Sequence, residues 1–289
     1  MEWVNIIIQG ALIGGLYALF AAGLSLMFGV MRLVNIAHGD LIVLAAYIAL
    51  VVVDTIGLSP FMSLIIVVPA MFVLGYVLQR GILNFTLGGD ILPPLLVTFG
   101  LSIIIENVLL EGFSANSQRL LLSGSFATSS LQITNELAIG WFPLLFFATA
   151  IVVIAALEWL LYHTALGRAF RATSDDAETA RLYGVRNRHV YALATAIAMA
   201  VVSVAAIFLS IRTSFGPASG PTRLLYAFEA VIIGGLGSLW GTLAGGVVLG
   251  IAQSVGGKIN PGWQTLAGHI AFLIVLILRP RGLFPKTAD

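Results

Sequence analysis

Of the chain's 289 residues, 59% are hydrophobic and 9% charged. Soluble domains carry about 45–50% and about 25%, so the composition predicts a polytopic membrane protein. A net charge of +1 without a basic, aromatic-interleaved stripe excludes a nucleic-acid surface, and the lack of cysteine excludes disulfides, iron–sulfur clusters, thiolate metal sites and cysteine nucleophiles.

The opening MEWVNIIIQG lacks the basic n-region of a signal peptide, so the first apolar run is expected to be retained. Residues 5–31 carry no charge and exceed the about 20 apolar residues that cross the hydrocarbon as a helix. Their Gly10, Gly14 and Gly15 suit close helix contact. Arg32-Leu-Val-Asn-Ile-Ala-His-Gly-Asp40 follows, and then 41–53, a run short for a crossing and read as half of a broken helix. Residues 54–60 form a turn, 61–79 a span ending at Arg80, and 91–110 a span opening at a Pro-Pro pair. Residues 111–140 are a polar loop, and 141–161 span again. After the charged stretch 163–189, residues 190–211 span, 212–225 form a Gly/Pro/Ser loop, and 226–255 are apolar but crowded with glycine. Residues 263–278 lead into a basic tail with Arg279, Arg281 and Lys286. The expected fold is all-α: one polytopic transmembrane helical bundle over 1–289, with about 8–10 membrane segments.

Lys and Arg remain on the cytoplasmic side, which places the charged stretch and the tail inside, the 111–140 loop outside, and Arg80 inside if the two spans between it and the charged stretch are a simple hairpin. Parity then requires 226–255 to enter and leave by one face. It also puts the N-terminus inside only if 33–53 returns to its own side. Gly39-Asp-Leu-Ile-Val-Leu-Ala-Ala46 can be laid over Gly237-Ser-Leu-Trp-Gly-Thr-Leu-Ala244, each preceded by a span ending at an arginine, Arg32 or Arg212. Two such interrupted segments predict two parallel-repeat halves with broken or re-entrant helices. Broken backbone at membrane depth is tolerated where it lines a cavity or is buried, which makes Asn35, His38, Gly39, Asp40, Gly235, Gly237 and Ser238 the candidate path residues.

The stretch 163–189 is an aqueous island: Arg168, Arg171, Asp175, Asp176, Glu178, Arg181, Arg186 and Arg188 all fall within it. Glu178-Thr-Ala-Arg-Leu-Tyr-Gly184 has the form Glu-Ala-Ala-x-x-x-Gly with one replacement. Asp175 and Glu178 are placed to cap a short helix, Gly184 to close it in a left-handed turn, and Leu182 and Tyr183 to enter a partner's groove. An ordinary charged loop with a capped surface helix is the plain alternative.

That motif resembles the cytoplasmic loop by which permease subunits of ABC importers engage their ATPase. Asn35-Ile-Ala-His-Gly-Asp40, Ile233-Gly-Gly-Leu-Gly-Ser-Leu-Trp-Gly241, Leu-Ala-Gly-Gly246 and Arg279-Pro-Arg-Gly-Leu283 extend the likeness over nearly the whole chain. Together they resemble the shorter permease of branched-chain amino acid ABC importers. The sequence departs from that pattern at Ile36, where an aromatic residue is expected, and at Asp40, where Glu is usual. The resemblance implies a second related permease, two ABC ATPase subunits, a periplasmic or extracellular solute-binding protein, a bacterial inner-membrane location and contact with membrane lipid. It makes 163–189 the coupling loop, with Arg168, Arg171, Asp175, Glu178, Ala180, Arg181 and Gly184 as its residues. It implies no cofactor, no metal and no catalytic residue.

One rival reading is a self-sufficient secondary carrier or channel with His38, Asp40 and Glu106 as an ion site, since intramembrane ionisable groups are functional candidates. The other, an intramembrane enzyme, is disfavoured because the sequence offers no Ser/His, paired-Asp or metal constellation at a plausible depth. For an ATP-driven importer, His38 and Asp40 are better read as holding the open backbone of the broken helix. Glu106 and Glu229 are expected to face protein or a cavity rather than lipid, Glu158 to snorkel or pair, and His269 to stand alone. Gly235-Leu-Gly237-Ser-Leu-Trp-Gly241 misses the dinucleotide fingerprint by one place, and no P-loop motif occurs, so any ATP-driven motor is borrowed.

Overall fold

The computed structural model describes residues 2–87, 92–122, 129–134 and 137–284. Ser123 in the long loop and Lys286 in the tail lie outside the described residues. Eleven helices are described: α1 (Glu2–Met31), α2 (His38–Ile56), α3 (Leu64–Gly81), α4 (Leu92–Phe113), α5 (Trp141–His163), α6 (Ala165–Asp175), α7 (Ala177–Leu182), α8 (Asn187–Arg212), α9 (Gly220–Gly234), α10 (Leu239–Ile259) and α11 (Gln264–Leu278). Among the described residues, eight helices are long and apolar enough to cross a membrane, and the protein is a multi-pass, all-α bundle.

Several boundaries differ from the expectation. Residues 41–53 are not a half-helix: α2 begins at His38 and runs 19 residues to a left-handed Gly57 at φ 74°. That is about 28 Å, close to the hydrocarbon thickness of about 30 Å. Asp40 and Asp54 suggested shorter limits, but both are accommodated within the helix. The 111–140 loop is shorter than expected, because α4 continues to Phe113 and β1 (Ser130–Thr134) pairs antiparallel with β2 (Leu137–Gly140). The 212–225 loop is shorter too, since Pro217–Ser219 forms a 3-10 turn that runs into α9.

The chain folds into two compact units. These are not sequential halves, since each is assembled from separated stretches. The first comprises Met1–Ala22, Leu122–Ala155 and Tyr226–Asp289. In it α1 crosses α10 with glycine on both sides: a Cβ at Gly10 would lie 2.8 Å from the Gly250 carbonyl oxygen, and one at Gly14 would meet the Gly246 carbonyl. Gly15 meets the backbone of Phe147 in the same way. These are the small-residue contacts anticipated for the first span. α9 and α10 form an antiparallel hairpin whose Gly234 lies on Gly241 and whose Gly245 lies on Ala230. The chain thus enters and leaves this pair at one end.

The second unit comprises Gly23–Leu121 and Ala156–Leu225. α3 and α8 are joined in it by a buried polar chain. Thr195 donates to Gln79 Oε1 at 2.8 Å, Gln79 Nε2 to Asn84 Oδ1 at 3.1 Å, and Asn84 Nδ2 to the Arg188 carbonyl at 2.9 Å. Beyond α4, the backbone of Gln118 exchanges two hydrogen bonds with Phe215, of 2.8 and 2.9 Å, and laps the end of α8. Tyr47, Phe113 and Phe215 cluster there, Phe113 tilted on Tyr47 and Phe215 edge-on to it, with ring centroids 4.5 and 5.1 Å away.

Candidate functional site

The first break, residues 32–37, begins with Arg32 in the left-handed region at φ 51°. It is held by side chains. Asn35, fully buried, accepts from the Ala37 amide at 3.0 Å, and the Ile36 amide donates to Thr98 on α4 at 3.2 Å. The chain folds back, so that His38 sits beside Gly23 of α1, where an added Cβ would be 3.3 Å from its ring. His38 thereby lies alongside α1, about two turns short of its end.

Here two helix starts meet. Gly39, in the first turn of α2, lies against the Gly220 carbonyl at the start of α9, and a Cβ on Gly220 would run into Asp40. Asp40 is 1% exposed, and its Oδ2 accepts from Ser102 of α4 at 2.5 Å. Its Oδ1 faces the Gly220 backbone without a hydrogen-bond partner among the described residues. A carboxylate in that position lies in the positive end of two helix dipoles at once. Asp40 therefore ties α2, α4 and α9 together through the Ser102 side chain and its contact with the Gly220 backbone. Gly39 is not the break itself: its backbone is helical, and its lack of a side chain serves the approach of α9.

The second break, residues 235–238, lies in the first unit. Gly235 and Gly237 have φ of 108° and 80°, and the Ser238 side chain caps α10 by accepting from the Gly241 amide at 3.1 Å. The tail folds onto this turn. Gly282, at φ 83°, sits against Gly235, and the amides of Leu283 and Phe284 donate to the Ile233 and Gly234 carbonyls at 2.8 and 2.9 Å. The overlay of 39–46 on 237–244 is approximate, because α2 starts one residue before Gly39 and α10 two residues after Gly237.

The island is two helices set at an angle. Thr164 caps α6 by accepting from Gly167, and Gly167 packs directly on the Leu160 and Leu161 carbonyls. Arg171 donates to the Leu161 carbonyl at 3.0 Å and lies 4.9 Å from the Tyr162 ring centroid, so a cation sits at the end of α5 where the dipole favours one. Arg168 is exposed, and Asp175 ends α6 without capping. The cap of α7 is the next residue. Asp176 Oδ1 accepts from the Glu178 and Thr179 amides at 2.9 and 3.0 Å, and Oδ2 from the Thr179 hydroxyl at 2.5 Å. The Thr179 hydroxyl foremost, then these amides, hold its carboxyl below the ordinary aspartate value.

At the other end of α7, Gly184 at φ 87° closes the helix as expected, its amide donating to Arg181 at 3.0 Å and that of Val185 to Ala180 at 3.1 Å. Ala180 is buried, Glu178 and Arg181 are exposed, and Leu182 and Tyr183 are each 86% exposed. Ser174 ties the island to α1, donating to the Gly29 carbonyl at 2.7 Å, three residues before the first break.

Sequence reasoning missed Thr98, Ser102 and Gly220 as partners of the first break, Asp176 as the cap of α7 and Ser174 as the tie to α1. Thr98 and Ser102, four apart in an apolar run, carried a signal, since polar residues on one face of a span mark the side turned to protein. His269 does not stand alone: its Nδ1 pairs with Glu229, which is 2% exposed as a carboxylate facing protein should be. Glu106 is only half-buried.

The sequence model of a family described as a branched-chain amino acid transport system permease component matches residues 6–278. The high-affinity branched-chain amino acid transport system permease protein BraD of Pseudomonas aeruginosa is 27% identical over 300 residues, covering 99% of this chain and 96% of BraD. LivH of Escherichia coli K12, a permease protein of the same description, is 25% identical over 295 residues, covering 96% and 94%. The probable branched-chain amino acid transport permease protein LivH of Methanocaldococcus jannaschii is 28% identical over 263 residues, covering 87% and 80%. A helical membrane bundle matched to the family almost from end to end, the chain belongs to the permease components of branched-chain amino acid transport systems.

Proposed function

We propose that the chain forms half of the translocation path of an ATP-driven importer in a bacterial plasma membrane, and that its cargo is branched-chain amino acids or similar small solutes. Its partners in this reading are a second related permease, two separate ATPase subunits and an external solute-binding protein. The observation that carries the reading is α7, a short helix fixed at both ends, by Asp176 and Gly184, that holds Leu182 and Tyr183 out to solvent. A ligand-driven change must travel through contacts that differ between states, and α7 has a route. A push on it reaches α6, passes through Ser174 to the end of α1 at Gly29, and arrives at the break 32–37. Movement of that break shifts the Asp40 junction of α2, α4 and α9. Asn35, His38, Gly39 and Asp40 are the path-side residues of this junction, and Gly235, Gly237 and Ser238 those of the second break. Arg168, Asp175, Glu178, Arg181 and Gly184 form the surface offered to the motor, while Ala180 packs inward and Arg171, bound to the end of α5, steadies the helices behind that surface.

The test is solute-stimulated ATP hydrolysis by the complex in liposomes. Glu178→Arg reverses the charge at the start of α7, where the dipole favours an anion. Gly184→Val forces a β-branched residue into positive φ although a Cβ there meets nothing within 4 Å. Both are expected to abolish stimulation while the external protein keeps its affinity for solute, and Gly184→Asn to retain more activity than Gly184→Val. Wild-type hydrolysis and uptake in both severe variants would overturn the coupling role. With no native cysteine, Ser174→Cys reports the orientation: an impermeant reagent should label it only after right-side-out membranes are opened.

A further inference from the structure

The end of α3, the turn after α7 and the start of α8 enclose a recess of about 510 Å³ into which Arg80, Arg181, Arg186 and Arg188 converge beside His189. All four arginines are exposed, and among the described residues none is ion-paired. The island's own carboxylates, Asp175, Asp176 and Glu178, do not line the recess, and Asp176 is occupied in capping α7. The walls are fixed. The Tyr76 hydroxyl and His189 Nδ1 are hydrogen-bonded at 2.8 Å, Asn84 holds the Arg188 carbonyl, and the Arg188 guanidinium lies 5.7 Å from the Phe85 ring centroid. Four like charges held in one hollow repel each other, and guanidinium groups match the oxygens of a phosphate best.

The setting identifies the carrier of that phosphate. Both α3 and α8 are spans, so the recess lies where they leave the hydrocarbon. On α3, Val73, Val77 and Arg80 are four and three residues apart and share one face. Val73 and Val77 are 58% and 60% exposed, and Phe85 beside Arg188 is 72% exposed. An apolar strip leading up to a cluster of cations is complementary to a molecule with acyl chains below and a phosphate above. Snorkelling alone leaves basic side chains dispersed around a bundle, whereas these come from three elements to one hollow.

We infer that the recess seats the headgroup phosphate of an anionic phospholipid of the cytoplasmic leaflet, with its chains along Val73 and Val77. Basic hollows between spans on the cytoplasmic side suit such headgroups. Because Gly184 lines the same recess, the bound lipid buttresses the turn that positions α7. The inference rests on the inward placement of the island proposed above.

The test is native mass spectrometry of the full-length chain in detergent, offered equal amounts of phosphatidylglycerol and phosphatidylcholine with identical acyl chains. Retention should favour the anionic lipid by about tenfold. The double variant Arg186→Gln, Arg188→Gln should lower this below about threefold, Arg186→Lys with Arg188→Lys should keep most of it, and Arg281→Gln in the tail should leave it unchanged. Equal retention of the two lipids overturns the inference, as does an equal loss on Arg281→Gln, which would make the effect one of diffuse charge. Displacement by the same concentration of soluble glycerol phosphate would assign the site to free phosphate esters. Displacement by an added ATPase subunit would make the recess part of a protein interface. An inverted orientation would appear in the Ser174→Cys labelling and leave headgroup preference as it is, so the two failures are distinguishable.

Discussion

Asp40 shows how a single charged side chain is accommodated inside an apolar bundle. Its carboxyl group takes a hydrogen bond from the Ser102 hydroxyl and lies against the opening turns of α2 and α9, which the fold itself supplies. The glycines at that junction are part of the same solution. Gly39→Ala places a methyl group on the Gly220 carbonyl and is expected to destabilise the protein by about 1–3 kcal/mol through overpacking, read as a lower Tm in detergent. The Glu229–His269 pair follows a different rule, because removing one partner strands the other. His269→Ala should cost roughly 2 kcal/mol, below the roughly 3–5 of a fully buried pair because the His269 side chain is a third exposed. A variant as stable as wild type by thermal unfolding would show that the pair contributes nothing. The buried carboxylates were legible as residues turned toward protein. Their partners were not, because Ser102 lies 62 positions from Asp40 and His269 lies 40 from Glu229, and no local pattern encodes such distances.

α7 has six residues, too few to hold a helix by propensity, so its existence depends on its ends. The Asp176 cap makes this helix sensitive to acid. Its carboxyl is held below the ordinary aspartate value in the folded state, so its contribution is fully present above the unfolded aspartate pKa of about 3.9. That contribution is lost as pH falls through the lower folded value. Amide exchange at Glu178 and Thr179, corrected for its intrinsic pH dependence, should accelerate in that acid range. Asp176→Asn should remove the pH dependence while keeping much of the cap. An unchanged acid response in Asp176→Asn would place the titrating group elsewhere. Here the sequence was informative about kind and less so about register. The Gly184 turn follows from glycine's tolerance of positive φ. The cap moved from Asp175 to Asp176 because two adjacent aspartates both satisfy the local rule, and the extended backbone of 176 decides between them.

At the scale of the whole molecule, the spans were readable to within a few residues because twenty apolar residues in lipid have almost no alternative to a helix. The interrupted segments were less readable. A polar residue inside a helix and a polar residue at its end look alike in sequence, which is why α2 was judged too short and the first turns of α9, 220–225, were assigned to the preceding loop. The crossing of α1 and α10 has a further consequence. With Gly10 and Gly14 laid on Gly250 and Gly246, backbone meets backbone and no side chain is left between them to rotate or slide. Such a pair behaves as a single strut, and it supplies a built-in ruler. Spin labels at the exposed positions Val4 and Ile259 should report one unchanging separation through every nucleotide state, while labels that straddle either break report the working stroke. A separation that varies with nucleotide would mean that the strut itself bends, and the moving parts would then have to be sought within it.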